Sequence, residues 1–245
     1  EPSKEHAFQE GDRIIMKVLE WGNQHAPTRT QMSHYIGHIS DPSCDLRAII
    51  EEYGLKKDFP TKVLKEVKAF GTRVHAGEIR HRRDYRDEIS VTIDPDTAKD
   101  FDDAITISKN KDGTIHLIVH IADVSHYVHE GSQLDLEASL RCNSTYFPSY
   151  VLPMLPHELS SHLCSLKPNV NRLAISVSMS FDKEGVLTSY SIDRSVIRSK
   201  KRFTYKEARD VLDGKKSSPY KEQLELMVEL TGLLKKHRFQ RGSVE

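Results

Sequence analysis

Apolar residues change their spacing several times along this chain, and each change marks a predicted element. From Gly11 to Trp21 a run of β-branched and apolar residues follows a Gly-Asp turn, and Ser33 to Ser40 alternates, so both stretches are expected to be strands. Two strands cannot bury a core alone, which makes them the back half of a small β-barrel. Beyond Asp45 the period lengthens. Leu46, Ile49, Ile50 and Tyr53 fall at helical spacing before Gly54, and Phe59, Val63, Val67 and Phe70 repeat it before Gly71. Arg73 to Arg86 has few apolar positions and reads as an irregular connection.

Strand patterns return at Ser90 to Ile93 and Ala104 to Ser108, followed by a nearly continuous apolar run from His116 to Val124, as in a strand buried on both faces. Ser132 is placed to cap a helix with Asp135 at its third position, running through Leu136, Ala138 and Leu140. Pro148, Pro153 and Pro156 then forbid regular structure. Leu173 to Phe181 and Val186 to Ile197 read as an antiparallel pair around Asp182-Lys183-Glu184-Gly185. Ser218, with Pro219 at the first helical position, opens a last helix whose apolar face is Leu224, Met227, Leu230 and Leu234. The resulting class is α+β.

With 245 residues the chain can hold one large domain, or one complete and one partial domain. It starts at Glu1 and stops at Arg241-Gly-Ser-Val-Glu245, where a further strand is expected to begin, so it reads as part of a longer protein. Its 36 basic and 36 acidic residues cancel, so total charge gives no argument for nucleic acid. Distribution matters more. One basic cluster runs from Arg73 to Arg86, and another comprises Arg194, Arg198, Lys200, Lys201, Arg202, Lys206 and Arg209. Cys44, Cys142 and Cys164 are odd in number and widely spaced, which fits a reducing cytoplasm better than a disulfide scaffold. No apolar run approaches the roughly 20 residues that span a bilayer.

The chemistry concentrates in Ile93-Asp-Pro-Asp-Thr-Ala-Lys-Asp-Phe-Asp-Asp-Ala104, which gathers Asp94, Asp96, Asp100, Asp102 and Asp103 between strand-like flanks. Carboxylates this close repel unless a cation or raised pKa values offset the repulsion, so the run predicts a hard-cation site for Mg²⁺ or Mn²⁺. An EF-hand needs Gly at the sixth position and Glu at the twelfth, where this run has Lys99 and Ile105. A solvated acidic loop is the rival, weakened by the apolar Val91, Ile93, Phe101, Ala104 and Ile105 around the carboxylates. One chemistry that needs such a site is phosphodiester cleavage. His116, His120, His126 and His129 lack a zinc-site spacing and read as hydrogen-bonded sheet or surface residues.

The acidic run, taken from Thr92, resembles the signature of the ribonuclease II/ribonuclease R (RNB) family of 3′-to-5′ exoribonucleases. Ile121-Ala-Asp-Val-Ser125 with Tyr127-Val128, Tyr146-Phe-Pro-Ser149, Leu152-Pro-Met-Leu-Pro156, Leu163-Cys-Ser-Leu166 and Arg241-Gly-Ser243 are similar to successive blocks of that family's catalytic domain, in the same order. The first portion resembles a cold-shock OB-fold and linker, and the whole is most similar to the bacterial ribonuclease R branch. The resemblance implies residues 1–45 as the end of the OB-fold, 46–88 as helical linker and basic connection, and 89–245 as the amino-terminal part of the RNB domain.

It further implies that Asp94, Asp100, Asp102 and Asp103 are catalytic and hold the metal, with Asp94 and Asp103 as direct Mg²⁺ ligands. Asp100 and Asp102 hold a second cation or activate water, and Asp96 has no counterpart. By the same resemblance Tyr146 is expected to orient the 3′-terminal nucleotide of single-stranded RNA, while the charge distribution itself makes Arg198, Lys200, Lys201 and Arg202 the expected contacts that draw RNA past the carboxylates. The implied protein is cytoplasmic, not membrane-bound, and monomeric at full length. It yields nucleoside 5′-monophosphates by hydrolysis, although this chain lacks the family's downstream arginine and second base-clamping aromatic. Two alternatives stand beside it: a catalytically dead RNA-binding module of the same fold, and an unrelated metal-dependent phosphotransferase, for which no GxxxxGK[ST] loop is present.

Overall fold

The structure is a computed structural model and describes residues 8–148 and 150–244. It divides into two compact units, one of residues 1–60 and 137–154, the other of residues 61–136 and 155–245.

In the first unit β1 (Asp12–Glu20) and β2 (Arg29–His38) form an antiparallel two-stranded sheet. The second strand starts earlier than its alternation suggests, because Asn23 Oδ1 accepts the His25 and Ala26 amides and closes a short turn before Arg29. Helix α1 (Ser43–Glu52) follows. Its buried Cys44 lies so close to Gly37 that a β-carbon there would sit 2.0 Å from the sulfur, so only glycine fits.

The second unit begins with α2 (Thr61–Ala69), which buries Val63 and Val67 as its spacing predicts. Arg73 to Arg86 is more ordered than its composition suggests. It contains a one-turn helix α3 (Ala76–Ile79), whose capping box pairs His75 and Glu78, and strand β3 (Arg83–Tyr85). Within this basic stretch Arg82 is buried, paired to Asp123 at 2.6 Å.

Strands β4 (Ser90–Asp94), β5 (Asp103–Lys109) and β6 (Ile115–Ala122) come next, followed by α4 (Gln133–Arg141), whose Asp135 amide donates to Ser132 Oγ as expected of a cap. The proline-rich stretch is not wholly irregular. β7 (Thr145–Tyr146) pairs with β8 (Val151–Leu152) in the first unit, and Leu159–Leu163 makes a π-helical turn in the second. Ser149 lies outside the described residues.

β9 (Arg172–Phe181) and β10 (Leu187–Ile197) form the expected hairpin, and β11 (Lys201–Thr204), α5 (Tyr205–Leu212) and α6 (Lys221–Gln240) complete the unit. The last helix starts later than its Ser-Pro pair suggests, because Ser218 Oγ accepts the Tyr220 amide in a turn instead of capping. The strand expected from Arg241 is not formed among the described residues: Arg241 and Gly242 turn back on α6, and Glu245 is outside them.

Seven strands form one sheet in the order β11-β4-β5-β6-β9-β10-β3, antiparallel in the middle and parallel at both margins. Helices α5 and α6 cover part of it. Val91, Phe203, Ala208, Val211 and Leu224 form one buried cluster, while Ile107, Ile115, Phe181, Leu226 and Leu230 form another. These apolar layers fix β4 and β5, from whose ends the aspartates project.

Candidate active site

Strands β4 and β5 pair only through Ser90 with Thr106 and Val91 with Ile105. Beyond Val91 the ladder opens, since Pro95 has no amide to donate and Pro95 to Ala98 closes a turn, with the Ala98 amide on the Pro95 carbonyl. Asp94 ends β4 opposite Thr204 of β11, and Asp103 opens β5 opposite Ile121 of β6. Asp100 and Asp102 lie on the loop between them.

The described side chains outside this loop reach into it at several points. The Ser165 hydroxyl accepts the Phe101 amide at 3.0 Å and donates to the Lys99 carbonyl at 2.9 Å. The Leu166 amide binds the Phe101 carbonyl at 2.8 Å, and the Ala122 amide binds the Asp102 carbonyl at 2.9 Å. Arg202 donates to the Pro95 carbonyl and sets its guanidinium 5.5 Å from the centre of the buried Phe101 ring.

The four catalytic candidates therefore share one electrostatic neighbourhood. Burial raises the Asp94 carboxyl above its ordinary value; the Thr92 hydroxyl and Arg202 pull it down, while Asp103 and Asp100 push it up. Asp102 keeps contact with solvent, yet crowding by protein raises it, with Asp100, Asp103 and Asp94 adding to the rise. The Cys164 thiol, buried near Asp102, is pushed up to about 12, which makes it inert rather than nucleophilic. Asp96 is exposed on the turn.

A hard divalent cation fits this donor set. All donors are carboxylate oxygens, and Asp94 Oδ2 is buried without a hydrogen-bond partner among the described residues. The carboxylates repel without converging: among the described residues no three His, Cys, Asp or Glu side chains form a group that could hold a metal ion.

The other predicted residues lie elsewhere. Tyr146 belongs to the first unit, on β7, and is 71% exposed. In the basic cluster, Arg198 faces solvent with Asp87 3.9 Å away. Lys200 donates to the Arg86 carbonyl at 2.6 Å, and Lys201 pairs with Glu207 at 3.1 Å. Arg202 is partly exposed and reaches the Pro95 carbonyl as described, while its Nε is buried without a hydrogen-bond partner among the described residues. Of the four histidines weighed for zinc, His116 bonds Ser178, His120 bonds Thr106 and Ser176, and His126 bonds Glu78, while His129 is exposed. Ser165 and the inward role of Arg202 were not distinguished by the sequence pattern.

The RNB domain model matches residues 82–245 and the cold shock domain model residues 1–60. The chain is 46% identical over 241 residues to Ribonuclease R of Chlamydia pneumoniae, covering 97% of this chain and 36% of that protein. It thus spans about a third of the length of the curated relatives it matches. RNase R of Mycoplasma genitalium in complex with double-stranded RNA is similar with a TM-score of 0.86 at 30% identity, over 96% of this chain and 42% of that one. Yeast Ssd1, described as a pseudonuclease, shares the fold with a TM-score of 0.74 at 19% identity, over 94% of this chain and 29% of that one. With its carboxylate loop inside the matched region and cold-shock sequence ahead of it, the chain belongs to the RNB domain family.

Proposed function

We propose that this chain carries the catalytic aspartates of a Mg²⁺-dependent hydrolytic 3′-to-5′ exoribonuclease, with Mn²⁺ able to substitute. The observation that carries the reading is the loop of four interacting carboxylates, with one buried oxygen lacking a partner, on an RNB sheet. A divalent cation at these carboxylates would polarise the scissile phosphate and offset its charge. Asp94 and Asp103, at the two strand ends, would be the direct ligands, and Asp100 and Asp102 would hold a second cation or orient and deprotonate the attacking water. Water adds to the terminal phosphorus, the 3′-oxygen of the preceding nucleotide leaves and takes a proton, and a nucleoside 5′-monophosphate is released.

Single-stranded RNA is the substrate, entering by its 3′ end. Exposed Tyr146 stacks on the terminal base, a contact worth roughly 1–3 kcal/mol and tolerant of any base. Arg198 contacts phosphate through solvent-facing nitrogens, while Lys200, Lys201 and Arg202 contact RNA from bases anchored in the fold. Residues 1–45, 46–88 and 89–245 serve as OB-fold end, linker and catalytic portion of a cytoplasmic protein that is monomeric at full length. Among the described residues no helix is long and apolar enough to cross a membrane. The test is full-length protein with RNA labelled at either end and Mg²⁺, compared with Asp102→Asn. Mononucleotides released from the 3′ end by wild type alone support the reading; equal release by both proteins sinks it, and RNA binding without release favours the dead module.

A further inference from the structure

We infer that Ser165 is a positioning residue for the aspartate loop, an inference that rests on the proposed nuclease reading. Its hydroxyl is fully buried and bridges the two peptide groups that flank Asp100, accepting from the Phe101 amide at 3.0 Å and donating to the Lys99 carbonyl at 2.9 Å. Both capacities of the hydroxyl are used, so alanine removes a donor and an acceptor at once. Ser165 is itself held from behind: the buried Arg172 donates Nε to the Ser165 carbonyl at 2.8 Å.

The loop needs such a holder because the β4–β5 ladder stops at Val91 and residues 95–101 have no strand partner. It also carries four carboxylates, Asp94, Asp100, Asp102 and Asp103, whose like charges oppose close approach. The Leu166 and Ala122 amides fix the carbonyls of Phe101 and Asp102, but neither reaches Asp100 from its amino-terminal side. Ser165 does. It couples the spacing of Asp100 and Asp102 to the rigid segment after the π-helical turn.

The experiment uses full-length enzyme carrying Ser165→Ala or Ser165→Thr, with kcat and KM on RNA at saturating Mg²⁺, the melting temperature, and amide hydrogen exchange without RNA. Misplacement of catalytic groups by about 1 Å costs on the order of 10²-fold, so Ser165→Ala should lower kcat roughly 10²-fold with KM within about twofold. Exchange should quicken at Phe101 while the amides of β6 and β9 keep their protection. Ser165→Thr, which restores the hydroxyl, should recover most of the lost kcat. A kcat within about twofold of wild type for Ser165→Ala overturns the inference, as misplacement predicts a far larger loss. So does a kcat loss that tracks a fall in melting temperature with faster exchange throughout β6 and β9. If wild type releases no mononucleotide, the nuclease reading fails by itself. Exchange then decides the clamp: acceleration confined to Phe101 supports it, and uniform acceleration overturns it.

Discussion

Asp102 shows how a single side chain trades stability for chemistry. Its folded-state carboxyl is raised above the ordinary 3.8, so the neutral form is favoured by the fold. That favour is fully present below the unfolded value and is lost as pH rises through the folded one. At neutral pH the charged Asp102 therefore destabilises the protein. Asp102→Asn should abolish RNA hydrolysis yet raise the melting temperature at pH 7 in chelator. The gain should vanish near pH 4 in calorimetry; an equal gain at both pH values would falsify the linkage. Arg202 and Arg198 separate two meanings of a basic residue. Arg202 supports Pro95 from inside, so Arg202→Ala should cost about 1–3 kcal/mol of stability in denaturant titration. Arg198 faces solvent, so Arg198→Ala should leave stability unchanged and reduce the salt slope of RNA binding by about 1.

At the scale of elements, a buried polar chain crosses four strands. Thr106 on β5 pairs with His120 on β6 at 3.0 Å, His120 with Ser176 on β9 at 2.6 Å, and Ser176 with Ser195 on β10 at 2.5 Å. Burial lowers His120 from 6.5 to about 4, which keeps it neutral at physiological pH. Its contribution is present above pH 6.5 and is lost as pH falls towards 4, because the unfolded chain takes up a proton first. His120→Gln should remove up to ~3 kcal/mol of the pH dependence across that window, read as the difference between urea-unfolding profiles of the two proteins. These strands were legible because their apolar runs are long enough to carry a period. The three residues of β3 and the two each of β7 and β8 were not, since so short a strand is defined by its partner rather than its pattern. At the site the aspartates announced themselves through the cost of assembling charge. Ser165 did not, because its bond to Phe101 joins residues 64 positions apart and one serine has no periodic signature.

Across the whole molecule the buried apolar side chains are divided unequally. Most lie in the second unit, whose sheet and helices form two clusters, whereas in the first unit Met16 and Leu19 of β1 and Trp21 just after it are exposed. Along β1, β2 and α1 an open groove of about 660 Å³ is lined by Ile14, Ile15, Ile36, Ala48 and Ile49. Hydrogen exchange should therefore be faster at β1 and β2 amides than at β6 and β9 amides by several orders of magnitude; equal protection would show that the small unit draws its stability from something other than its own core. The fold class was visible from alternating strand and helix periods, but the order of seven strands was not, because sequence order says little about which edges parallel strands join. One feature reaches beyond this protein. Because β4 and β5 are tied by two residue pairs and the carboxylates sit past the last of them, their side chains can change without breaking a β4–β5 pairing. Activity and architecture are thus separately heritable: a lineage could discard its aspartates, keep the sheet, and retain a scaffold free for another use.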